Sequence, residues 1–196
     1  MSVETAQPGA GVAKVRFTRM ADGTAEDYAF VAKSEQASAG NLALRLLEEL
    51  KTAGDMESAH QITRYEHSLQ TATRALRDDA DEETVVCALL HDIGDGMAPD
   101  NHSEFAAAIL RPYVSEANHW VVKHHGIFQG YYYFHHYGGD RNARERYKHE
   151  PHYQPTIDFC HRWDQESFDP HYDTLSIDEF RPLVERILAR APRTRP

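Results

Sequence analysis

Residues 88–95, ALLHDIGD, close an apolar run on His91-Asp92, a glycine and a second carboxylate, Asp95. An unpaired charge taken out of water costs several kcal/mol, roughly, so a histidine and an aspartate ending a buried segment need a partner. A metal ion satisfies both, and the chain is rich in further ligands, with 13 histidines. Histidine is the commonest metal ligand near neutral pH. In order along the chain the candidates are His67 in YEHSLQTA, His91 and Asp92, His102 in DNHSEF, His125 in VVKHHGIF, and Asp164 in CHRWDQES. Each has an ordinary reading when taken alone. His67 could be a core-edge histidine held by a carbonyl, and His102 a cap or loop residue. His124 and His125 are adjacent candidates for one ligand position.

These residues have to be placed by helices. NLALRLLEELKTA (41–53) carries leucines at 42, 46, 47 and 50, a helical stripe stopped by Gly54. A second helix is expected over 60–77 with Ile62, Tyr65, Leu69, Ala72 and Leu76 on one face. A third starts behind an N-cap at Asp81 and ends at Gly94. Adjacent helical residues point about 100° apart, so His91 and Asp92 reach one ion only where that helix ends. SEFAAAILRPYV and EANHWVVKHH read as a fourth and a fifth helix. Residues 126–155, dense in Gly, Tyr and His, lack a clear period and read as a lid, with Tyr131, Tyr132, His135 and His136 as its candidate substrate-covering residues. TIDFCHRWDQES resumes a helical pattern, and SIDE opens a last helix through a Ser176/Glu179 capping box. The expected architecture is all-α: an N-terminal arm over 1–40, in which VAKVRFT reads as a short strand or an extended segment, and a single helical domain over 41–190.

Composition narrows the function. The 196-residue chain carries a formal net charge of −10, which argues against a nucleic-acid partner, since phosphate backbones are bound by basic faces. The apolar run at 85–90 is too short to span a membrane. The opening residues MSVETAQPGAG lack the pattern of a secretory signal, and two cysteines make no disulfide framework. Cys87 and Cys160 are expected as core residues, and the setting as cytoplasmic. Oligomeric state is left open.

The ordered set H…HD…H…H…D over residues 60–166 resembles the HD-domain superfamily, an all-α helical bundle. It is most similar to the dinuclear branch, the mixed-valent diiron oxygenases that include phosphonate-cleaving HD oxygenases and myo-inositol oxygenase. That resemblance puts His67, His91, Asp92 and Asp164 on one metal and His102 and His125 on a second, with Asp92 bridging. It implies two iron ions (Fe2+/Fe3+), O2 and a small-molecule substrate. The alternative is a metal-dependent HD phosphohydrolase using Mn or Mg on a small phosphoester or nucleotide, and a third possibility is a non-enzymatic metal-stabilised domain. Two departures stand out. After HD-x-G the family has a basic residue, whereas this chain has Asp95, which by its charge would favour a cationic group on the substrate. Upstream of the first histidine, Glu57 and His60 stand where the phosphonate oxygenases have Tyr and Glu. His124, His161 and Arg162 are the further candidates for binding substrate, the last two for an anion.

Overall fold

The computed structural model describes residues 13–193, and all regular structure among them is helical. The chain divides into two units, Met1–Leu42 and Ala43–Pro196. In the first, helix α1 (Ala25–Ala39) follows a 3-10 turn at Met20–Asp22. Thr24 and Asp27 cap α1 reciprocally, and the Tyr28 hydroxyl donates to the Met20 carbonyl. The sequence reading missed α1 because none of its residues is buried, so it carries no apolar stripe. The expected strand is not present in residues 13–18; Val12 lies outside the described residues.

The second unit holds α2 (Leu42–Thr52, counted from its second residue), α3 (Arg64–Arg77), α4 (Glu82–Leu90), α5 (His102–Leu110), α6 (Glu116–Tyr133), α7 (Tyr153–Phe159) and α8 (Ile177–Leu188). Apolar on almost every side, α4 is therefore the central helix. Val85 to Leu90 are all buried, and α3, α6 and α8 pack around it. Leu47 and Leu50 of α2 and Phe180, Val184 and Ile187 of α8 complete the core. Each such fully buried side chain contributes about 1.5–3 kcal/mol relative to exposure. Cys87 and Cys160 are buried and free, as expected. On α3 it is Ala75, not Leu76, that turns inward.

Helix starts follow capping chemistry. Thr63 and Glu66 form a capping box on α3, Asp81 accepts from the Thr84 N–H on α4, Ser115 caps α6, and Ser176 with Glu179 caps α8. The second predicted helix begins at Arg64 and not near residue 60, because Thr63 caps it there, and two C-terminal ends also differ from expectation. The third predicted helix stops at Leu90, and residues 91–97 are turns. The fifth does not end at His125 but continues through Gly126 and Gly130 to Tyr133, so the predicted lid is largely helix, followed by 3-10 turns at Phe134–Tyr137 and Ala143–Tyr147. Both glycines serve packing. A Cβ on Gly130 would lie 2.3 Å from the Phe134 ring, and one on Gly126 would lie 2.8 Å from Ser103 Oγ of α5. After α7 the helix widens into one π turn, Cys160–Asp164, in which the Gln165 N–H reaches the Cys160 carbonyl at 3.0 Å.

Candidate metal centre

Five elements converge on one point. His67 lies on the second turn of α3, His91 at the C-cap of α4, Asp92 in the turn after it, His102 at the start of α5, and His125 in the middle of α6. Asp164 ends the π turn. Gly94 does not stop α4. It admits the start of α5, since a Cβ there would lie 2.8 Å from the His102 carbonyl oxygen and 3.0 Å from its Cα. That close approach brings His102 onto Asp92.

Asp92 divides the group. Its Oδ2 lies 3.5 Å from Nε2 of both His67 and His91. Its Oδ1 lies 3.0 Å from His125 Nε2 and 3.4 Å from His102 Nε2. Asp164 joins the first side, with Oδ1 3.3 Å from His67 Nε2 and 3.7 Å from His91 Nε2. The His67 and His91 Nε2 atoms face each other at 3.2 Å, an arrangement that needs a proton or a cation between them. Asp164 Oδ2 is buried without a hydrogen-bond partner, a further sign of a position built for an ion.

The rings are held from behind. Nδ1 of His67, His91 and His125 meets the main-chain carbonyls of Ser167, Ala88 and Val122 at 2.8, 2.8 and 2.7 Å, which turns each Nε2 inward. Gln129 donates its amide to Asp164 Oδ1 at 3.0 Å. Charge follows the geometry. Burial opposes protonation of His67 and His91, but Asp164 and Asp92 outweigh it and raise both above the usual imidazole value. Burial likewise opposes ionisation of Asp92, and the surrounding histidines overcome it and hold the carboxyl well below its usual range. The group therefore fits metal: buried mixed N and O donors, two of them ionised, with an orphaned oxygen.

The other candidates scatter. Asp95 does reach the cavity beside the centre, but it is not a lone charge, because Arg64 Nε lies 2.8 Å from its Oδ2. Its simple attraction for a cation is corrected accordingly. His124 stacks on Trp120 at 3.9 Å and, with Lys123 and Arg146, lines a separate cavity of about 510 Å³ that shares the His102, Gly126 and Tyr133 wall. Arg162 pairs with Asp78 at 2.8 Å, next to the Trp163 indole N–H on the same carboxylate, and so does not face the centre. His161 is exposed, 3.1 Å from the Tyr132 hydroxyl. Among the four proposed lid residues only Tyr132 lines the metal-side cavity. Tyr131 is held by Arg141 and Arg144, and His135 and His136 are exposed, with their rings in tilted contact with each other. Arg64, Gln129, Tyr133, Tyr137 and Phe168 line the cavity without having been singled out, and His60 lies against Phe168 at its edge in a tilted ring contact. The cavity measures about 400 Å³.

Comparison with known families agrees with this geometry. The HD domain family model matches residues 64–160. Residues 64–160 thus match the HD domain, a class made up mostly of metal-dependent enzymes that bind divalent metals through His and Asp. Five of the six converging residues fall inside the match, and Asp164 lies just beyond it. No curated protein matches the chain.

Proposed function

We propose that the chain is a dinuclear HD oxygenase acting on a small polar metabolite. His67, His91, Asp92 and Asp164 would hold one iron and His102 and His125 the other, with Asp92 shared. The supporting observation is the division of Asp92, whose two oxygens face two separate pairs of histidine nitrogens. A carboxylate presented in this way could be shared by two cations, and its N/O surroundings suit iron or manganese, among others. A bound Fe2+/Fe3+ pair supplies the one-electron chemistry that reduction of O2 and C–H cleavage require.

The chain's own residues do the remaining work. The Ser167, Ala88 and Val122 carbonyls fix three imidazoles, and Gln129 fixes Asp164. Tyr132, Tyr133, Tyr137 and Phe168 wall a cavity sized for a small metabolite. Partial burial and the Arg64 guanidinium lower the His60 pKa from its ordinary value, which favours the neutral ring and so a proton acceptor at the cavity edge. Arg64 is the only lysine or arginine among the described lining residues, and it is already paired with Asp95. A phosphoester dianion would find little to neutralise it there beyond the metals, which favours the oxygenase over an HD phosphohydrolase.

Anaerobic purification should give two iron ions per chain, and partial oxidation should give the electron paramagnetic resonance signal of an antiferromagnetically coupled mixed-valent pair. One ion per chain, or phosphoester hydrolysis restored by Mn or Mg with no such signal, would move the assignment to a phosphohydrolase.

A further inference from the structure

Three of the four histidines at the centre are aimed by short contacts to main-chain carbonyls, and His102 is not. Its Nδ1 lies 3.4 Å from the Pro99 carbonyl, and its side chain is 26% exposed, against 3% or less for the other three. Its Nε2 lies 3.1 Å from the Ser103 hydroxyl as well as 3.4 Å from Asp92. The ring nevertheless has a second neighbour at Nδ1, because Asp95 Oδ1 lies 3.3 Å away. The other oxygen of Asp95 is held at 2.8 Å by Arg64 Nε, and Arg64 in turn lies on the first turn of α3, one helical turn before His67.

We infer that Arg64 and Asp95 form a positioning pair for His102: Arg64 fixes the carboxylate, and the carboxylate holds the His102 ring with hydrogen on Nδ1 and the Nε2 lone pair toward Asp92. A carboxylate behind a ligating imidazole sets the tautomer, orients the ring and raises its basicity, and loss of such a partner costs about 10–100-fold in metal affinity. Of the four rings, only the exposed one lacks a short main-chain support, and that ring is the one with a clamped carboxylate. This gives Asp95 work that its charge alone did not suggest. The metal half of the inference rests on the two-metal reading above, whereas the tautomer half does not.

Two measurements test it. In metal-free protein, long-range 1H–15N spectra of the histidine rings, with His102 identified by His102→Gln, should show His102 protonated on Nδ1. Asp95→Asn and Arg64→Gln should each shift it toward a mixture of tautomers, with His67, His91 and His125 unmoved. In Zn2+ titrations against a chromogenic chelator, both variants should weaken the second ion about 10–100-fold and leave the first unchanged, with Asp95→Glu recovering part of the loss. An unchanged His102 tautomer in Asp95→Asn overturns the inference and leaves Pro99 as the sole support. Tighter Zn2+ binding in Arg64→Gln also overturns it, because freeing Asp95 would then have released a direct ligand. A failure of the two-metal reading would appear differently, as a single Zn2+ per chain in the wild type with the tautomer shift intact.

Discussion

At the scale of the residue, Asp92 carries the most consequence. Because its oxygens face two pairs of histidines, Asp92→Ala should remove most of both ions, whereas His102→Ala should empty chiefly one; metal content of the two purified variants checks this. All six residues that the sequence set apart do converge. They were legible because ionisable side chains stood in apolar surroundings or at a helix end, where water is scarce and a partner is needed. Arg64, Gln129 and the Ser167 carbonyl were not legible. They are ordinary polar groups whose role arises only from what the fold places opposite them. Nearness in sequence also misled: His161 and Arg162 adjoin Asp164 in the chain, yet the turn sends them to Tyr132 and Asp78.

At the scale of the element, α4 is tied to the ends of α6 and α8 through one carboxylate. Glu83 accepts from the Ser115 N–H at 2.5 Å and the Asn118 amide at 3.0 Å, and it pairs with Arg190. Burial pushes this carboxyl up, but those donors outweigh it and hold it at about 2, against an ordinary 4.5. Since the folded value is the lower one, the stabilisation is present above the ordinary value and is lost as pH falls toward 2. At neutral pH it is at most on the order of 3 kcal/mol, and less once solvent screening is deducted. Glu83→Gln should therefore unfold at lower denaturant concentration than wild type at pH 7, and the gap should close in acid. Helices α2, α3, α4, α5 and α8 were readable from stripes and caps. The far half of α6 was not, because Gly126 and Gly130 look like breakers in sequence while in the fold they admit Ser103 and Phe134.

At the scale of the molecule, the centre joins α3, α4, α5, α6 and the π turn, so an ion bound there binds the folded chain and not the unfolded one. Such a ligand stabilises by mass action, and chelation should lower the melting temperature. Metal must also displace protons from His67 and His91, whose affinity for protons is raised by Asp164 and Asp92. Scanning calorimetry with and without chelator should show a large difference above neutrality that shrinks as pH falls. The π turn adds a constraint of another kind. One extra residue in a helix rotates everything after it by about 100° relative to an uninterrupted α-helix. Asp164 reaches the centre on that rotation, while Trp163 stays buried against Asp78. The chain thus keeps a count there as well as a composition. Many substitutions around residue 160 would leave the aspartate aimed, but the loss of a single residue would swing it away, whereas the exposed stretch at 138–142 can lengthen or shorten without moving a ligand. In related chains the record of this centre is to be sought in conserved length between α7 and Asp164, even where the letters between them have changed.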